Sequence, residues 1–185
     1  MIVYCFYYLC GCRKKRIELA VSSTKKLLYL DFYLSSMIYI EQIRPEHTWQ
    51  LRQRVMYPQA KLAEMKMKED EHGLHFAAFK DNLIVGVISL FNDGDDYQFR
   101  KFAVDERVQR MGIGRQLLEF ITDFVTLNGG KRLWCNARIS AIDFYLKADF
   151  THTGQLFSKQ GLDYEILEKM ISKVQITAVE AGLIK

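Results

Sequence analysis

Several features that mark particular protein classes are missing from this chain of 185 residues. No apolar run approaches the ~20 residues that span a bilayer, and the sequence contains no internal repeats or low-complexity tracts. These absences argue against a transmembrane helix, a solenoid and a disordered linker. Because 49% of the residues are apolar and 26% are charged, we expect a soluble globular protein, and the length suits one domain.

Cysteine is almost absent from the main part of the chain, where Cys135 is the only one after Met37. The other three, Cys5, Cys10 and Cys12, lack a fourth nearby ligand and do not have the spacing of a zinc site. We therefore expect no metal. Cysteines this close together and unpaired fit a reducing compartment better than secretion, so we expect a cytoplasmic protein.

A net charge is also absent from the chain after Met37. Six of the 26 basic and two of the 22 acidic residues precede Met37, which leaves 20 of each sign. We interpret residues 1–36 as an N-terminal extension outside the domain, 37–171 as the domain and 172–185 as a C-terminal tail. The balanced charge of the domain gives no bias toward nucleic acid or an anionic membrane, and we expect neither as a partner.

Strand and helix patterns alternate beyond Met37. Apolar runs at Leu74–Lys80 and Leu83–Leu90 flank Asp81-Asn82, two residues that tolerate the left-handed angles of a tight hairpin. An apolar stripe along Ile113–Leu127 indicates an amphipathic helix, which a glycine pair ends. The remaining predicted strands are 38–43, 97–104, 131–136, 150–157 and 162–170, and the remaining predicted helices are 45–57, a short exposed one within 59–72, and 140–147.

The predicted strand Tyr97–Val104 contains one irregularity. Its aromatic and apolar residues fall at positions 97 and 99 and then at 102 and 104, so the alternation slips by one residue near Lys101. A β-bulge produces such a slip and leaves backbone groups unpaired, which a ligand can use. The alternative is that Lys101 only extends its charged end to solvent from an edge strand.

The segment Val104–Leu118 carries the clearest functional pattern, a strand, a turn with two glycines and a helix. A helix N-terminus presents unpaired N–H groups and a partial positive charge, which suit a phosphate. Gly112 and Gly114 allow a close approach that a Cβ would obstruct. By spacing alone, a turn that binds nothing is about equally well supported. A dinucleotide-binding turn is excluded, because it needs a third glycine within a parallel sheet.

The run Gln109-Arg-Met-Gly-Ile-Gly114 resembles the Q/R-x-x-G-x-G/A signature of the GNAT superfamily of N-acetyltransferases. A second block, formed by residues 136–138, Ala141 and the segment Phe144–Phe150, is similar to the superfamily's tyrosine-containing helix, which usually ends in Gly-Phe. Asp149 stands in place of that glycine, and we expect it to alter the turn into the next strand. The similarity covers about residues 38–170.

The resemblance implies an α/β (α+β) fold, with one GNAT-like domain built on a mostly antiparallel mixed sheet of six to seven strands, splayed at its centre and flanked by about four helices. It implies acetyl-CoA and an amine acceptor as partners. The resemblance assigns to acetyl-CoA the backbone of Gln109, Arg110, Met111, Gly112, Ile113 and Gly114 at the pyrophosphate, the backbone of Phe102, Ala103 and Val104 along the pantetheine arm and acetyl carbonyl, and the residues Arg115, Asn136 and Tyr145.

Tyr145 matches the general acid of the family. In direct transfer, a neutral amine attacks the thioester carbonyl, and a nearby N–H group stabilises the negative charge that develops on its oxygen. The leaving thiolate needs a proton, which a tyrosine hydroxyl within reach supplies. The alternative is that Tyr145 only packs in the core.

The sequence does not identify the general base or the acceptor. Gln98 and Arg100 stand in the strand where many relatives carry a useful carboxylate, and deprotonation through water is equally open. His72 and His75 lie where relatives contact the acceptor, although a lone histidine is more often structural. The loop carboxylates are better explained as solvated charges, namely those of Glu69, Asp70, Asp95 and Asp96.

The favoured function is transfer of an acetyl group from acetyl-CoA to a primary amine of a small molecule. Two alternatives stay open, a non-catalytic acyl-CoA-binding or sensing domain and a protein N-acetyltransferase. The presence of Tyr145 favours an enzyme over a sensor. A homodimer is also left open.

Overall fold

The structure, a computed structural model, describes residues 38–172. The predicted extension 1–36 and the predicted tail, apart from its first residue Ser172, lie outside this range, so those boundaries stay predictions. Within the described range, no helix is long and apolar enough to cross a membrane.

One mixed sheet of seven strands forms the centre of the fold, in the order β1-β2-β3-β4-β5-β7-β6. Neighbouring strands are antiparallel except for β4 and β5, which run parallel. This agrees with the mostly antiparallel mixed sheet that the resemblance implied. The strands are β1 (Tyr39–Ile43), β2 (Leu74–Lys80), β3 (Leu83–Asp93), β4 (Asp96–Val104), β5 (Arg132–Arg138), β6 (Thr151–Lys159) and β7 (Leu162–Met170).

Three α-helices lie in the described residues, where about four were expected. They are α1 (Glu46–Met56), α2 (Ile113–Leu127) and α3 (Ile142–Leu146). The predicted helix within 59–72 is replaced by two short 3₁₀ turns, Leu62–Met65 and Asp70–His72. Side-chain carboxylates in this segment accept hydrogen bonds from its own backbone, which competes with helix formation.

The sheet is packed differently on its two faces. On one face, here called the α2 face, the apolar stripe of α2 and the ring of Tyr145 on α3 form the main core with Phe76, Leu90 and Phe99. On the opposite face, the α1 face, Leu51 of α1 packs against a smaller group of Ala77, Val87 and Ala103. The α2 stripe was predicted, and its buried members follow the helical period.

The sheet splays between β4 and β5. These strands pair only at Asp96–Gln98 with Arg132–Trp134, and beyond Gln98 β4 pairs with β3 alone. The predicted bulge is confirmed, because the β3–β4 register shifts between Val87 and Ser89 and Lys101 has a φ of 52°. A gap therefore opens beside the second half of β4.

The charged end of Lys101 is not simply solvated, as the alternative interpretation required. Its Nζ donates a hydrogen bond of 2.8 Å to the hydroxyl of Tyr57 and lies 4.4 Å from the centre of that ring. The hairpin prediction at Asp81-Asn82 is confirmed by positive φ values of 52° and 60°. Asp149 also has a positive φ, 64°, in the region that glycine adopts more easily.

Candidate active site

The turn into α2 presents backbone N–H groups to solvent. Residues 109–112 are exposed, and Arg110 and Gly112 have left-handed φ values of 63° and 83°. The first bond within the helix runs from Gln116 N to Gly112 O, at 3.0 Å. Within 38–172, the backbone N–H groups of Arg110 through Gly114 have no hydrogen-bond partner. Such a turn at a helix N-terminus forms a concave site for an anion.

Gln109 fastens this turn to β4. Its side-chain Nε2 donates to the carbonyl of Val104 at 3.0 Å, and its own N–H lies 3.4 Å from the carbonyl of Glu106. The resemblance assigned the backbone N–H of Gln109 and the backbone of Val104 to acetyl-CoA, but this N–H and the Val104 carbonyl already form hydrogen bonds within the protein. In this structure Gln109 positions the turn instead of presenting an open amide.

Asp105 holds the segment between β4 and the turn, and sequence reasoning missed it. Its buried carboxylate accepts three hydrogen bonds from Arg107, of 3.1, 3.0 and 2.7 Å, and forms an ion pair with Arg54 of α1. The hydrogen bond from the Arg107 side chain is the main reason why the pKa of Asp105 falls to about 2. The hydrogen bond from Arg107 N could have been predicted, because an aspartate two residues before its N–H donor is a common capping pattern. The ion pair with Arg54 could not, because no nearby residue in the sequence indicates it.

Tyr145 lies between β4 and β5 on the α2 face. Its ring contacts Phe99 of β4 and Phe150, with centroid distances of 5.8 and 5.9 Å, and Arg138 of β5 is close enough to influence its titration. Burial raises the pKa of the Tyr145 phenol, so the hydroxyl stays protonated at neutral pH. Within 38–172 the hydroxyl has no hydrogen-bond partner, yet it is not fully enclosed. A donor is thus available at the splay.

The start of α2, the bulged part of β4 and α3 converge at Gly114. A Cβ at this position would lie 3.4 Å from the ring of Phe144 and 3.5 Å from the ring of Phe102. These rings are 5.8 Å apart between centroids. The structure therefore brings Phe102 and the first turn of α2 together with the helix that carries Tyr145.

The side chains of the other predicted site residues point elsewhere. Ala103 is buried on the α1 face, so only its backbone borders the splay. Asn136 is exposed on that same face, because the preceding Cys135 is buried in the main core. Arg115 is exposed on α2, where its Nε donates to Glu119 at 2.7 Å. Of the predicted site side chains, those of Phe102, Val104 and Tyr145 pack on the α2 face.

A buried ion pair on the α1 face was also missed. Asp70, interpreted from the sequence as a solvated charge, is 2% exposed, so that interpretation is wrong. Arg52 NH1 donates to both of its oxygens, at 3.1 and 3.0 Å, and Trp49 Nε1 and Met67 N donate at 3.3 and 3.0 Å. Dense charge along 59–72 suggested exposure, but the partner of Asp70 lies on α1.

His75 and Ser89 complete this network. The Nε2–H of His75 donates to the carbonyl of Asp70 at 2.8 Å, which leaves Nδ1 to accept from the Ser89 hydroxyl at 2.8 Å. Arg52 NH2 donates to Ser89 Oγ at 2.6 Å. Burial lowers the pKa of His75 and keeps the ring neutral, which agrees with the structural role considered for it. The network fixes the 62–73 segment beside the sheet.

The remaining acidic candidates for a general base form ion pairs. Asp95 pairs with Lys131, Asp96 with Arg132, and Glu69 with Arg100, at 2.5, 3.3 and 3.6 Å. These carboxylates are about half-exposed, as expected for solvated charges. Among residues 38–172, no group of three or more His, Cys, Asp or Glu side chains could hold a metal ion.

Comparison with known proteins gives consistent matches over the same range. The family model for the acetyltransferase (GNAT) domain matches residues 40–170. A curated relative, the uncharacterized N-acetyltransferase YitI of Bacillus subtilis, is 25% identical over 140 residues, which are 71% of this chain and 94% of the relative.

Solved structures of acetyltransferases share the fold. The ribosomal-protein-S18-alanine N-acetyltransferase from Escherichia coli has a TM-score of 0.63 at 20% identity, over 76% of this chain and 98% of that one. A GNAT family acetyltransferase from Elizabethkingia anophelis, solved with acetyl-CoA bound, has a TM-score of 0.56 at 21% identity, over 72% and 98%. The chain belongs to the GNAT acetyltransferase family and is an acyltransferase.

Proposed function

We propose that this enzyme transfers an acetyl group from acetyl-CoA to the primary amine of a small molecule. The observation that carries the proposal is the arrangement of two groups along one splay. The unpartnered amides of Arg110–Gly114 lie at one end, where α2 begins, and the ring of Tyr145 packs on Phe99 of β4, just beyond the last β4–β5 pair. A pyrophosphate and a thioester at opposite ends of an extended arm would meet these two groups.

The residues present fit acetyl-CoA at both ends. The amides at the start of α2 would bind the pyrophosphate, and the glycine at 112 adds no side chain in front of them. The stretch of β4 from the bulge to Ala103 has no β5 neighbour, so its backbone groups on that side are available to the amides of the pantetheine arm, whereas the Val104 carbonyl already accepts from the Gln109 side chain. An extended arm would thereby take the place of the missing strand pairing.

The bond changes assign a role to Tyr145. The amine nitrogen attacks the thioester carbonyl and forms the C–N bond as the carbonyl electron pair moves to oxygen, and the amine proton passes to water or a base. The carbonyl then re-forms as the C–S bond breaks, the sulfur leaves with the electron pair and takes a proton from the Tyr145 hydroxyl, and Tyr145 regains a proton from solvent. Such a donor is typically worth ~10²–10⁴-fold in rate. Because burial raises the pKa of Tyr145, the donor is fully protonated before the reaction.

The direct test is a screen of primary amines with acetyl-CoA, in which free thiol is followed and the acetylated product is identified by its mass. The proposal expects thiol release that depends on a small amine and yields one acetamide. A protein that binds acetyl-CoA but acetylates no small amine would contradict it. Acetylation of peptide N-termini alone would instead support the protein N-acetyltransferase alternative, the activity named for the neighbour from Escherichia coli.

A further inference from the structure

Three residues form a row across the α1 face at the point where the sheet begins to splay. Phe91 of β3 is the partner of Gln98 on β4, and Gln98 is the partner of Trp134 on β5. All three side chains are half-buried, and two aromatic rings therefore flank the amide of Gln98. An arginine lies over each ring, with Arg100 at 5.4 Å from the Phe91 centroid and Arg132 at 5.5 Å from that of Trp134.

The two arginines differ in what their guanidinium groups bind. Arg132 donates to Glu168 at 2.6 Å and to Asp96 at 3.3 Å, so its charge is already neutralised. Arg100 has a single ion pair, with Glu69 at 3.6 Å, and donates no hydrogen bond to any other residue of 38–172. Its side chain is only 34% exposed. A partly desolvated guanidinium with unused donors favours an oxyanion, which it can bind through two parallel N–H groups.

Arg100 also lies next to the opening through which an acceptor would approach. Gln98–Trp134 is the last pair of the β4–β5 ladder, and Arg100 is the next residue of β4 on the α1 face. The 62–73 segment bounds this place, because Gly73 packs so closely on Phe91 that a Cβ there would lie 2.5 Å from the ring. The result is a half-buried row of two aromatic rings and one amide, with the paired Arg132 at the Trp134 end and Arg100, which has unused donors, at the inner end.

We propose that Arg100 selects amine acceptors that carry a carboxylate, with the body of the acceptor lying along the row of Phe91, Gln98 and Trp134. This inference rests on the proposed acetyl transfer and names the class of its acceptor, small amino acids or similar amino carboxylates. Arg100 holds the carboxylate and so places the amine beside the thioester. The half-exposed carboxylate of Glu69 lies 3.6 Å from Arg100, too far for a hydrogen bond, and the carboxylate of the acceptor would displace it.

The test compares amino acids with the amines that lack only the carboxylate, such as phenylalanine with phenethylamine, tryptophan with tryptamine, and leucine with isopentylamine. Initial rates of thiol release from acetyl-CoA give kcat/KM for each member of a pair. In the intact chain we expect the carboxylated member to be preferred by about 10-fold or more, mostly through KM. Arg100→Gln should lower that ratio by about 10-fold and leave kcat/KM for the plain amines almost unchanged.

Arg132→Gln is the matched control, because it removes the same charge from the same face and leaves Arg100 in place. We expect it to keep the wild-type ratio, and we expect Arg100→Lys to retain part of it, since a lysine keeps the charge but not the paired donors. The change in ratio between proteins is decisive, because the neutral fraction of each amine is identical in every assay.

Three results would overturn the inference. They are a wild-type ratio below one, a ratio that survives Arg100→Gln, and an equal fall in Arg132→Gln. If acetyl-CoA binds and plain amines alone are acetylated, the acceptor class is wrong and the proposed acetyl transfer stands. If acetyl-CoA binds and no member of the panel reacts, the class is wrong as well. Failure to bind acetyl-CoA would overturn the proposed function and this inference with it.

Discussion

Two buried aspartates hold the two sides of this enzyme in different ways. The carboxylate of Asp70, on the α1 face, is 1% exposed, and that of Asp105, before the α2 turn, is 3% exposed. The Arg52 side chain that pairs with Asp70 is fully buried, whereas the partners of Asp105, Arg54 and Arg107, are 55% and 77% exposed. Both carboxylates are thus buried, but the arginine paired with Asp70 is buried and the arginines paired with Asp105 are exposed.

The difference indicates two tasks. When one member of a fully buried ion pair is removed, no water can take its place, so Arg52 and Asp70 depend on each other. Together they fix the 62–73 segment, which borders the proposed acceptor site. The partners of Asp105, Arg54 and Arg107, are exposed and can be solvated by water when the carboxylate is removed, so the contribution of Asp105 to stability is smaller. Its main effect is to shape the short segment that leads to the exposed amides. We infer that Asp70 holds packed elements together, whereas Asp105 supports the turn that we propose binds the pyrophosphate.

The largest predicted effect comes from breaking the buried pair. Asp70→Asn removes the charge opposite Arg52 and should destabilise the protein by about 3–5 kcal/mol, measured by urea unfolding. Glu71→Gln is the control, since Glu71 is 73% exposed and 3.7 Å from Lys66, and should cost less than about 1 kcal/mol. If Asp70→Asn lowers the free energy of unfolding no more than this control, the pair does not fix the 62–73 segment.

Asp105→Asn should lower the free energy of unfolding less, by at most about 2 kcal/mol near neutral pH. The pKa of Asp105 falls from 3.8 to about 2, and its partners Arg54 and Arg107 are exposed. The folded-state pKa is depressed, so this stability is present above pH 4 and is lost as the pH falls toward 2. Urea unfolding of wild type and variant from pH 7 to 2 should therefore show a difference that shrinks at the acid end. A difference independent of pH would contradict the assignment.

Tyr145→Phe probes the chemistry at the splay and not its stability. Because the ring is kept, acetyl-CoA affinity should hardly change, while kcat and kcat/KM should fall together by about 10-fold or more, or ~1.4 kcal/mol. The control is Tyr97→Phe, a buried tyrosine of the same core at the far end of β4, which should keep its kcat. Full kcat in Tyr145→Phe, with chemistry shown to limit the rate, would make Tyr145 a packing residue.

The smallest predicted effect concerns residues 1–36. Both aspartates, their partners and Tyr145 lie within 38–172, and the charge and cysteine biases of the sequence change near Met37. Starting the chain at Met37 should leave the thermal midpoint and the acetyl-CoA affinity unchanged within error. Loss of folded protein in this variant would show that the segment contributes to the core and that both regions depend on it.

The features that were predicted correctly are encoded within short stretches of sequence. The helix Ile113–Leu127 has the predicted ends, and the bulge at Lys101 follows from the slip in alternation along β4. A helical stripe, a strand period and a glycine turn all depend on neighbours in the chain. The helix, the bulge and the glycine turn could therefore be predicted before the sheet was known, whereas the assignment of acetyl-CoA to that turn came from the family resemblance and stays a prediction.

The features that were missed depend on partners distant in the chain. Arg52 and Asp70 are 18 residues apart, and each lies among other charged or polar residues that look solvated. Arg54 and Asp105 are 51 residues apart. The unused donors of Arg100 follow only from the positions of all the acidic groups around it. Burial of a charge is decided by tertiary packing, so no local pattern identifies it.

Calorimetric titration with acetyl-CoA tests the central claim, that the exposed turn before α2 binds the pyrophosphate. Gly112→Val and Gly161→Val form a matched pair, because the two glycines have φ values of 83° and 74° and a Cβ on either would meet no atom within 4 Å. Both variants carry the same backbone strain, but only Gly112 lies in the proposed site. We predict micromolar affinity for wild type and Gly161→Val and at least about 10-fold weaker binding for Gly112→Val. Equal affinity in all three proteins would contradict the account.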